Sequence, residues 1–411
     1  MTLGRTELSA ALYSLAGAGA SFGFSVLVAR ALGVAERGEF LAMQLPVTLL
    51  LPLAVVGTGQ AAVYHIAARP EHARSYAKSA LVVATVASCI VALIGSIVAA
   101  TIARDPVWAA LFWYIPPFAV LGVIANLYRA HGLFTVWSRM RVGALVVPVV
   151  GLPVLWAGGV HGMTLVVASM VVPTAIAAGV GAWRVRLLAT GGTVSAEIVG
   201  RLVRYGLPGM MSVLLNGVSR RADQLVLAAI LIGSPELGYY AVAASYSAVA
   251  FALAVSIGQP TAVAVARLDP GERPARARQV VRKAAAPLLC GSALAAVGAF
   301  VLIEPVFGDR YAAAVVPAAV LTVAAGIYAI GAVASEMLRA MGRPGDVVIG
   351  EIVGLVGQVV LFVVLVPRYS IIGAALSSLG GYCLATITLL GLLRAERSPA
   401  PVAGSTLEPA A

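Results

Sequence analysis

The chain has 411 residues, 61% of them hydrophobic and only 11% charged, against about 45–50% and about 25% in soluble globular domains. So little charge cannot cover the surface of a water-soluble fold of this length, which excludes a cytosolic enzyme, a nucleic-acid binder and a disordered scaffold. The net charge of +11 then reads as Lys and Arg retained in cytoplasmic loops of a membrane protein.

At about 20 apolar residues per crossing, twelve stretches qualify. They run 8–32, 39–66, 79–103, 106–129, 142–158, 162–182, 205–232, 237–266, 284–304, 312–340, 347–367 and 370–393. The first is too long, and too closely followed by further spans, for a cleaved signal peptide. With the N-terminus in the cytoplasm, the inside segments hold 21 Lys and Arg. The outside segments hold 5: Arg30, Arg37, Arg104, Arg310 and Arg368. Arg220 and Arg221 fall inside the seventh stretch. This asymmetry predicts an even number of crossings, with both termini cytoplasmic. The expected fold class is an all-α polytopic membrane protein with twelve transmembrane helices.

The segment 267–283 carries six basic residues and is expected to lie on anionic phospholipids at the cytoplasmic face. The tail 395–411, rich in Pro, Ala and Ser, is expected to be disordered. Cys89, Cys290 and Cys383 sit in apolar runs and read as small core residues. The four histidines form no ligand cluster, so no metal and no cofactor is expected. External connections are too short for a catalytic domain, so the chain is not expected to be an enzyme.

The sequence repeats at an offset near 200. Ala29-Arg-Ala-Leu-Gly33, followed by Glu36, Gly38 and Phe40, aligns with Ala229-Ile-Leu-Ile-Gly233, followed by Glu236, Gly238 and Tyr240. Pro70 aligns with Pro270. Further on, Arg129-Ala-His-Gly132 aligns with Arg339-Ala-Met-Gly342. Six spans per repeat leave both halves in one orientation, related by a pseudo-two-fold axis along the membrane normal. The expected lobes are 1–190 and 205–394, joined by a cytoplasmic linker 191–204. The glycines at 33/38 and 233/238 are expected to supply positive φ or close approach where one span turns into the next.

The seventh span places Arg220, Arg221 and Asp223 near mid-bilayer, where each such charge costs about 2.5–3.5 kcal/mol. They must therefore face protein or a watered cavity. Ser212, Asn216, Ser219, Arg220 and Asp223 share one helical stripe, while Arg221 points elsewhere in a regular helix. The cluster is either an Arg–Asp clamp between helices or a cationic cavity wall with Asp223 orienting an arginine. Two arginines against one aspartate favour the wall. Arg30 either reaches the cavity mouth or snorkels. Gln60 and Gln259, each after a glycine, either line the seam or pack. Arg129, Glu336 and Arg339, with Asp346 and Glu351 near the last two, form a cytoplasmic gate or a set of solvated helix ends.

Several of these segments resemble one family. Ala31-Leu-Gly33 through Phe40, Tyr205-Gly-Leu-Pro through Arg-Ala-Asp223 with Ile232 through Ser245, Met337-Leu-Arg-Ala-Met-Gly-Arg-Pro-Gly345 and Val366-Pro-Arg-Tyr-Ser-Ile-Ile-Gly373 are similar, in order, to the span-one/two turn, the seventh and eighth spans, the span-ten/eleven turn and the entry to span twelve of Wzx-type polysaccharide flippases. These belong to the multidrug/oligosaccharidyl-lipid/polysaccharide exporter superfamily. The resemblance implies a bacterial plasma-membrane transporter that flips polyprenyl-diphosphate-linked oligosaccharide outward by alternating access, with polymerase or glycosyltransferase partners and no nucleic acid. It further implies that Arg220, Arg221 and Arg30 meet diphosphate or acidic sugar, because guanidinium suits oxyanions. The alternative is a cation-coupled multidrug or small-molecule exporter of the same superfamily. Against it, positions 8–31 lack the carboxylate such exporters carry in their first span.

Overall fold

The computed structural model describes residues 5–395, except 103, 104, 267 and 270. The side chains of Ser212 and Gln259, the basic residue at 267, the repeat's second proline at 270 and the expected tail beyond 395 lie outside the described set. The described chain is helical throughout, with no strand. Its helices are α1 (Arg5–Ala31), α2 (Val34–Val55), α3 (Thr58–Ala68), α4 (Ala73–Ile102), α5 (Pro106–Leu111), α6 (Ile115–Ala130) and α7 (Phe134–Ala157). They continue as α8 (Gly162–Ala189), α9 (Ala196–Ser219), α10 (Ala222–Leu231), α11 (Pro235–Ala266), α12 (Arg273–Phe307), α13 (Val315–Ala340) and α14 (Pro344–Arg394). Among the described residues, nine helical stretches are long and apolar enough to cross a membrane.

Helix α4 shows why lipid is the solvent. Beyond Tyr76 near its start, its buried residues are all small: Ala77, Ser79, Ala80, Ala84, Ser88, Ala92, Gly95 and Ala99. Its exposed face carries Val82, Val86, Ile90, Leu93, Ile94 and Ile97. A soluble helix does the reverse. In a bilayer the large aliphatic side chains meet acyl chains, and small residues let helix backbones approach.

The chain divides into two compact units, Met1–Tyr246 with Val301–Val315 and Ser247–Phe300 with Val316–Ala411. The first is built on two clusters, one around Phe40, Met43, Leu111 and Ile115, the other around Tyr76, Ile124 and Leu127. The second is built around Leu288, Met337, Leu338 and Leu389. Within the second unit, α14 is continuous except at Ser370, whose φ of 45° and ψ of −125° fold its two arms back on each other. A glycine seam permits the close packing: a Cβ on Gly354 would lie 2.6 Å from that of Ala385, and one on Gly381 would lie 2.9 Å from the Gly354 carbonyl oxygen. Gln358 Nε2 donates to Ser378 Oγ across the seam (3.0 Å), worth about 0.6 kcal/mol in a membrane setting.

Helix ends follow local chemistry. Asp105 accepts from the Val107 N–H at 2.8 Å and Pro106 opens α5, an N-cap with proline at the first helical position. Gly132 and Gly342 both have φ of 76°. In both turns the glycine N–H reaches the carbonyl three residues back, and the next N–H reaches five back.

Three expectations need correction. Gly33 has φ of −69°, and a Cβ there would make only ordinary contact with Glu36. Its N–H bonds Glu36 Oε2 instead (2.9 Å), so the turn at 33 does not need glycine for conformation. Gly233 does, with φ of 79°. Cys290 is exposed on α12 rather than in a core. Arg37, counted with the outer loops, lies in the first turn of α2 and is 4% exposed: the capped turn starts the helix five residues earlier than hydropathy suggests, and that carries Arg37 inward. The polybasic stretch leads directly into the next apolar run. From Arg273 onward it is helical, the start of the 35-residue α12, which at about 1.5 Å per residue outreaches a hydrocarbon core of about 30 Å.

Candidate functional site

The seventh predicted span is not one helix. It breaks between α9 and α10, with Arg220 and Arg221 in the break. Arg221 has φ of −123° and ψ of 11°, outside the helical basin, and this redirects its side chain. In a regular helix it would leave the stripe. Here its Nη1 donates to Thr48 Oγ1 of α2 at 3.1 Å. Arg220 is exposed, Arg221 half-buried and Asn216 half-buried just before the break.

Asp223 opens α10 and is 3% exposed. Its Oδ1 accepts from the Gln224 N–H (2.8 Å) and its Oδ2 from the Tyr240 hydroxyl (2.5 Å). Tyr240 is fully buried on α11. The carboxylate thus ties α10 to α11 at the foot of the break. The N–H groups of the first turn of α10, with Arg220 and Arg221, make the break electropositive. A discontinuous helix of this kind is how membrane transporters present polar groups at depth.

The second predicted span lies alongside and is broken too. Val56 and Gly57 both have positive φ, 50° and 64°, separating α2 from α3. A Cβ on Gly57 would lie 2.3 Å from the Gly206 carbonyl oxygen, and one on Gly206 2.5 Å from the Val56 carbonyl oxygen. Gln60 is exposed and its Oε1 lies 3.6 Å from the Cβ position of Gly209. One turn on, Tyr64 stacks on Tyr205 with centroids 4.4 Å apart and planes at 12°. Gln60, Asn216, Arg220 and Arg221 therefore lie along one α2–α3/α9–α10 pair.

The other predicted residues lie elsewhere. Arg30 caps the end of α12, its Nε donating to the Val306 carbonyl (2.8 Å) and its Nη2 to that of Pro305 (2.6 Å). Arg310 and Tyr311 return the favour, both donating to the Ala29 carbonyl at the end of α1, at 2.9 Å and 3.0 Å. These orphan carbonyls gain cationic donors at the negative helix ends. Arg30→Ala and Arg310→Ala should each cost about 1–2 kcal/mol, read as equal losses of thermal stability in detergent with flux per folded molecule unchanged. A flux defect in Arg30→Ala alone would return Arg30 to a binding role.

Of the residues expected at a gate, Arg129 in the first unit lies over the Trp137 ring at 5.4 Å, with Arg141 over the same ring at 5.0 Å. In the second unit Arg339 pairs with Glu336 at 2.6 Å. Asp346 accepts from Arg343, and Glu351 from Tyr328 at 3.5 Å. Among the described residues no cluster of His, Cys, Asp and Glu has the makings of a metal site.

Sequence reasoning missed Thr48 and Tyr240. Thr48 had a signal: a lone hydroxyl in an apolar run between Pro46 and Pro52. Tyr240 had none short of the fold, lying 17 residues beyond Asp223.

The profile of a family described as "Polysaccharide biosynthesis protein" matches residues 4–265. No curated protein matches the sequence. Among solved structures, the chain is similar to the lipid II flippase MurJ in an inward closed conformation (TM-score 0.73, 11% identity, covering 93% of this chain and 87% of that one). It is also similar to a mutant of the Vibrio cholerae MATE transporter VcmN (TM-score 0.66, 15% identity, 95% and 97% covered). A third is a MOP-superfamily transporter from Pyrococcus furiosus, described as having a binding pocket of reverse polarity (TM-score 0.58, 16% identity, 95% and 94% covered). At these identities the likeness is one of fold.

Proposed function

The chain belongs to the polysaccharide biosynthesis protein family, and from that premise we propose that it is a membrane transporter of the MOP superfamily that flips a polyprenyl-diphosphate-linked oligosaccharide from the inner to the outer leaflet. The observation that carries the substrate reading is the electropositive break at Arg220–Arg221, seated beside Thr48 at the middle of a paired set of broken helices. A diphosphate and a glycan are both insoluble in hydrocarbon, whereas the polyprenyl chain is not. A protein that offers guanidinium donors at membrane depth lowers the cost of moving the head group while the tail stays in lipid.

Arg220 and Arg221 take the diphosphate or an acidic sugar. Asp223 holds the start of α10 in place, and Asn216 and Gln60 offer neutral polar contacts toward the Tyr64–Tyr205 end. Arg129, Glu336 and Arg339 work at the cytoplasmic ends of their helices. Twelve crossings in two lobes, 1–190 and 205–394, with both termini in the cytoplasm of a bacterial cell, complete the reading. The matching turns at Gly132 and Gly342 support the repeat behind it. The basic start of α12 meets anionic phospholipid, and the glycan is passed from glycosyltransferases to a polymerase.

Deletion of the gene should cause the lipid-linked glycan to accumulate in the inner leaflet. Normal export of surface polysaccharide by the deletion strain, with no second copy present, would remove the substrate reading. The likeness to MATE transporters keeps a drug-exporting reading in play. It predicts drug sensitivity on deletion and unchanged polysaccharide, so one strain decides between them.

A further inference from the structure

Arg37 is an arginine that nothing in the site above uses. It is 4% exposed, in the first turn of α2. Its Nη2 donates to Ser25 Oγ on α1 (3.0 Å) and to Ser245 Oγ on α11 (3.2 Å). Its guanidinium carbon lies 5.6 Å from the Phe40 ring centroid. Nε and Nη1 are buried and have no partner. Nε carries one hydrogen and Nη1 two, so three of the five N–H donors of a permanent cation point at no acceptor.

Among the described residues no carboxylate forms an ion pair with it. Glu36, its neighbour in sequence, is spent on the Gly33 N–H. Such a group is costly: a buried charge without a partner destabilises a fold more than a paired one, and an apolar side chain of similar volume is often the more stable choice. The turns around it are closely shut. Gly38 and Gly238 face each other, and a Cβ on Gly238 would lie 1.9 Å from the Val34 carbonyl oxygen. The Ser245 bond joins the same two helices, α2 and α11, that these turns open.

We propose that Arg37 is a second oxyanion-binding position, separate from Arg220–Arg221 and occupied by a phosphate-type group when the 33–40 and 233–240 turns part. An oxyanion supplies both what the site lacks, a negative charge and several acceptor atoms, whereas water supplies acceptors alone. The inference rests on the transporter reading and deepens it. Arg37 lies at the opposite end of the α2–α3 pair from Tyr64, so a head group leaving Arg220–Arg221 toward that end meets a second guanidinium. The oxyanion is either the substrate's diphosphate or the headgroup phosphate of an anionic lipid.

The test uses the full chain in nanodiscs, with inorganic diphosphate as the probe, in phosphatidylcholine and in phosphatidylglycerol. Diphosphate should raise the Tm of the wild type, and Arg37→Met should lose part of that rise. If only phosphatidylglycerol over phosphatidylcholine gives an Arg37-dependent rise, the oxyanion comes from lipid. Without ligand, Arg37→Met should be at least as stable as the wild type, because it removes an uncompensated charge. In cells its flux per folded molecule should fall about tenfold or more, the loss of one charge-assisted contact. The double variant Ser25→Ala/Ser245→Ala frees the guanidinium without removing it and should keep its flux. Should Arg37→Met fail to accumulate, Arg37→Lys takes its place in each arm, keeping the charge and losing the planar fork.

Normal flux in Arg37→Met, an equal loss in the double-serine variant, or anion responses that do not depend on Arg37 would each overturn the proposal. These outcomes are separable from failure of the transport reading. A strain lacking the whole gene that exports polysaccharide normally overturns the reading, while the nanodisc measurements still report on Arg37.

Discussion

Arg221→Ala should lower flux per folded molecule by about tenfold to a hundredfold, the value of one charge-assisted hydrogen bond of about 1.5–3 kcal/mol. The expectation follows from where the helix break sends the side chain: Arg221 leaves the axis of α9 and meets Thr48 on α2. Arg220→Ala should behave alike. Arg221→Lys keeps the charge but loses the planar fork, and should retain only part of the activity if an oxyanion is held by two donors at once. Asp223→Asn should be milder than Asp223→Ala, since an amide oxygen still accepts from Tyr240 and from the Gln224 N–H. If the cluster were only a clamp between helices, each change would lower the amount of folded protein and leave flux per molecule normal. Combining Arg220→Asp with Asp223→Arg would then restore part of that amount. Transport of a labelled lipid-linked glycan, normalised to the folded fraction from size exclusion, separates the two.

The second large effect is expected at the glycine crossings. Gly238→Ala puts a methyl group 1.9 Å from a backbone oxygen, and Gly57→Ala puts one 2.3 Å from another at a φ of 64°. Backbone cannot rotate aside as a side chain can, so the turns must separate. Overpacking of this kind costs about 1–3 kcal/mol, and the positive φ at Gly57 adds to it. Gly238→Ala should therefore empty the arrangement described above while the protein still inserts and folds. A cysteine placed at Ser25 should become reactive in Gly238→Ala and stay protected in the parent. Equal labelling in both, with transport intact, would mean that the crossing is not obligatory. Gly132→Ala is a control: a Cβ there meets nothing within 4 Å, so only its φ of 76° is penalised, by about 1 kcal/mol.

Much of the fold was legible because a bilayer makes few demands that sequence hides. Long apolar runs became helices, and the structure ends two of them by local chemistry at Asp105-Pro106 and Gly132. The breaks were harder. Gly57 and Gly59 flank Thr58 in a run that hydropathy treats as continuous, and positive φ at Val56, a β-branched residue, is not something its identity announces. At Arg220–Arg221 the presence of charge was evident, but a regular helix pointed Arg221 away from the stripe. Only the break turns it to Thr48. Arg37 escaped for a different reason: counting loop charges assumes that an arginine near a span end lies outside, and here helix α2 starts early enough to carry it inside. Arg30 showed the converse, a span-end arginine bound to carbonyls 275 and 276 residues away, which no local pattern encodes.

The reversal at Ser370 bears on how the protein enters the bilayer. The two arms of α14 are separated by almost nothing, so there is no hydrophilic loop to thread through the translocon, and Arg368 is the one charge near the tip. Their glycine seam and the Gln358–Ser378 bond exist only once both arms are present. Leaving the ribosomal tunnel alone, the first arm would expose an unmet glutamine amide to lipid, at a cost of several kcal/mol. The arms are therefore suited to partition together as a helical hairpin, late in synthesis, and a nascent chain ending at the bend would linger at the membrane surface until the second arm was made.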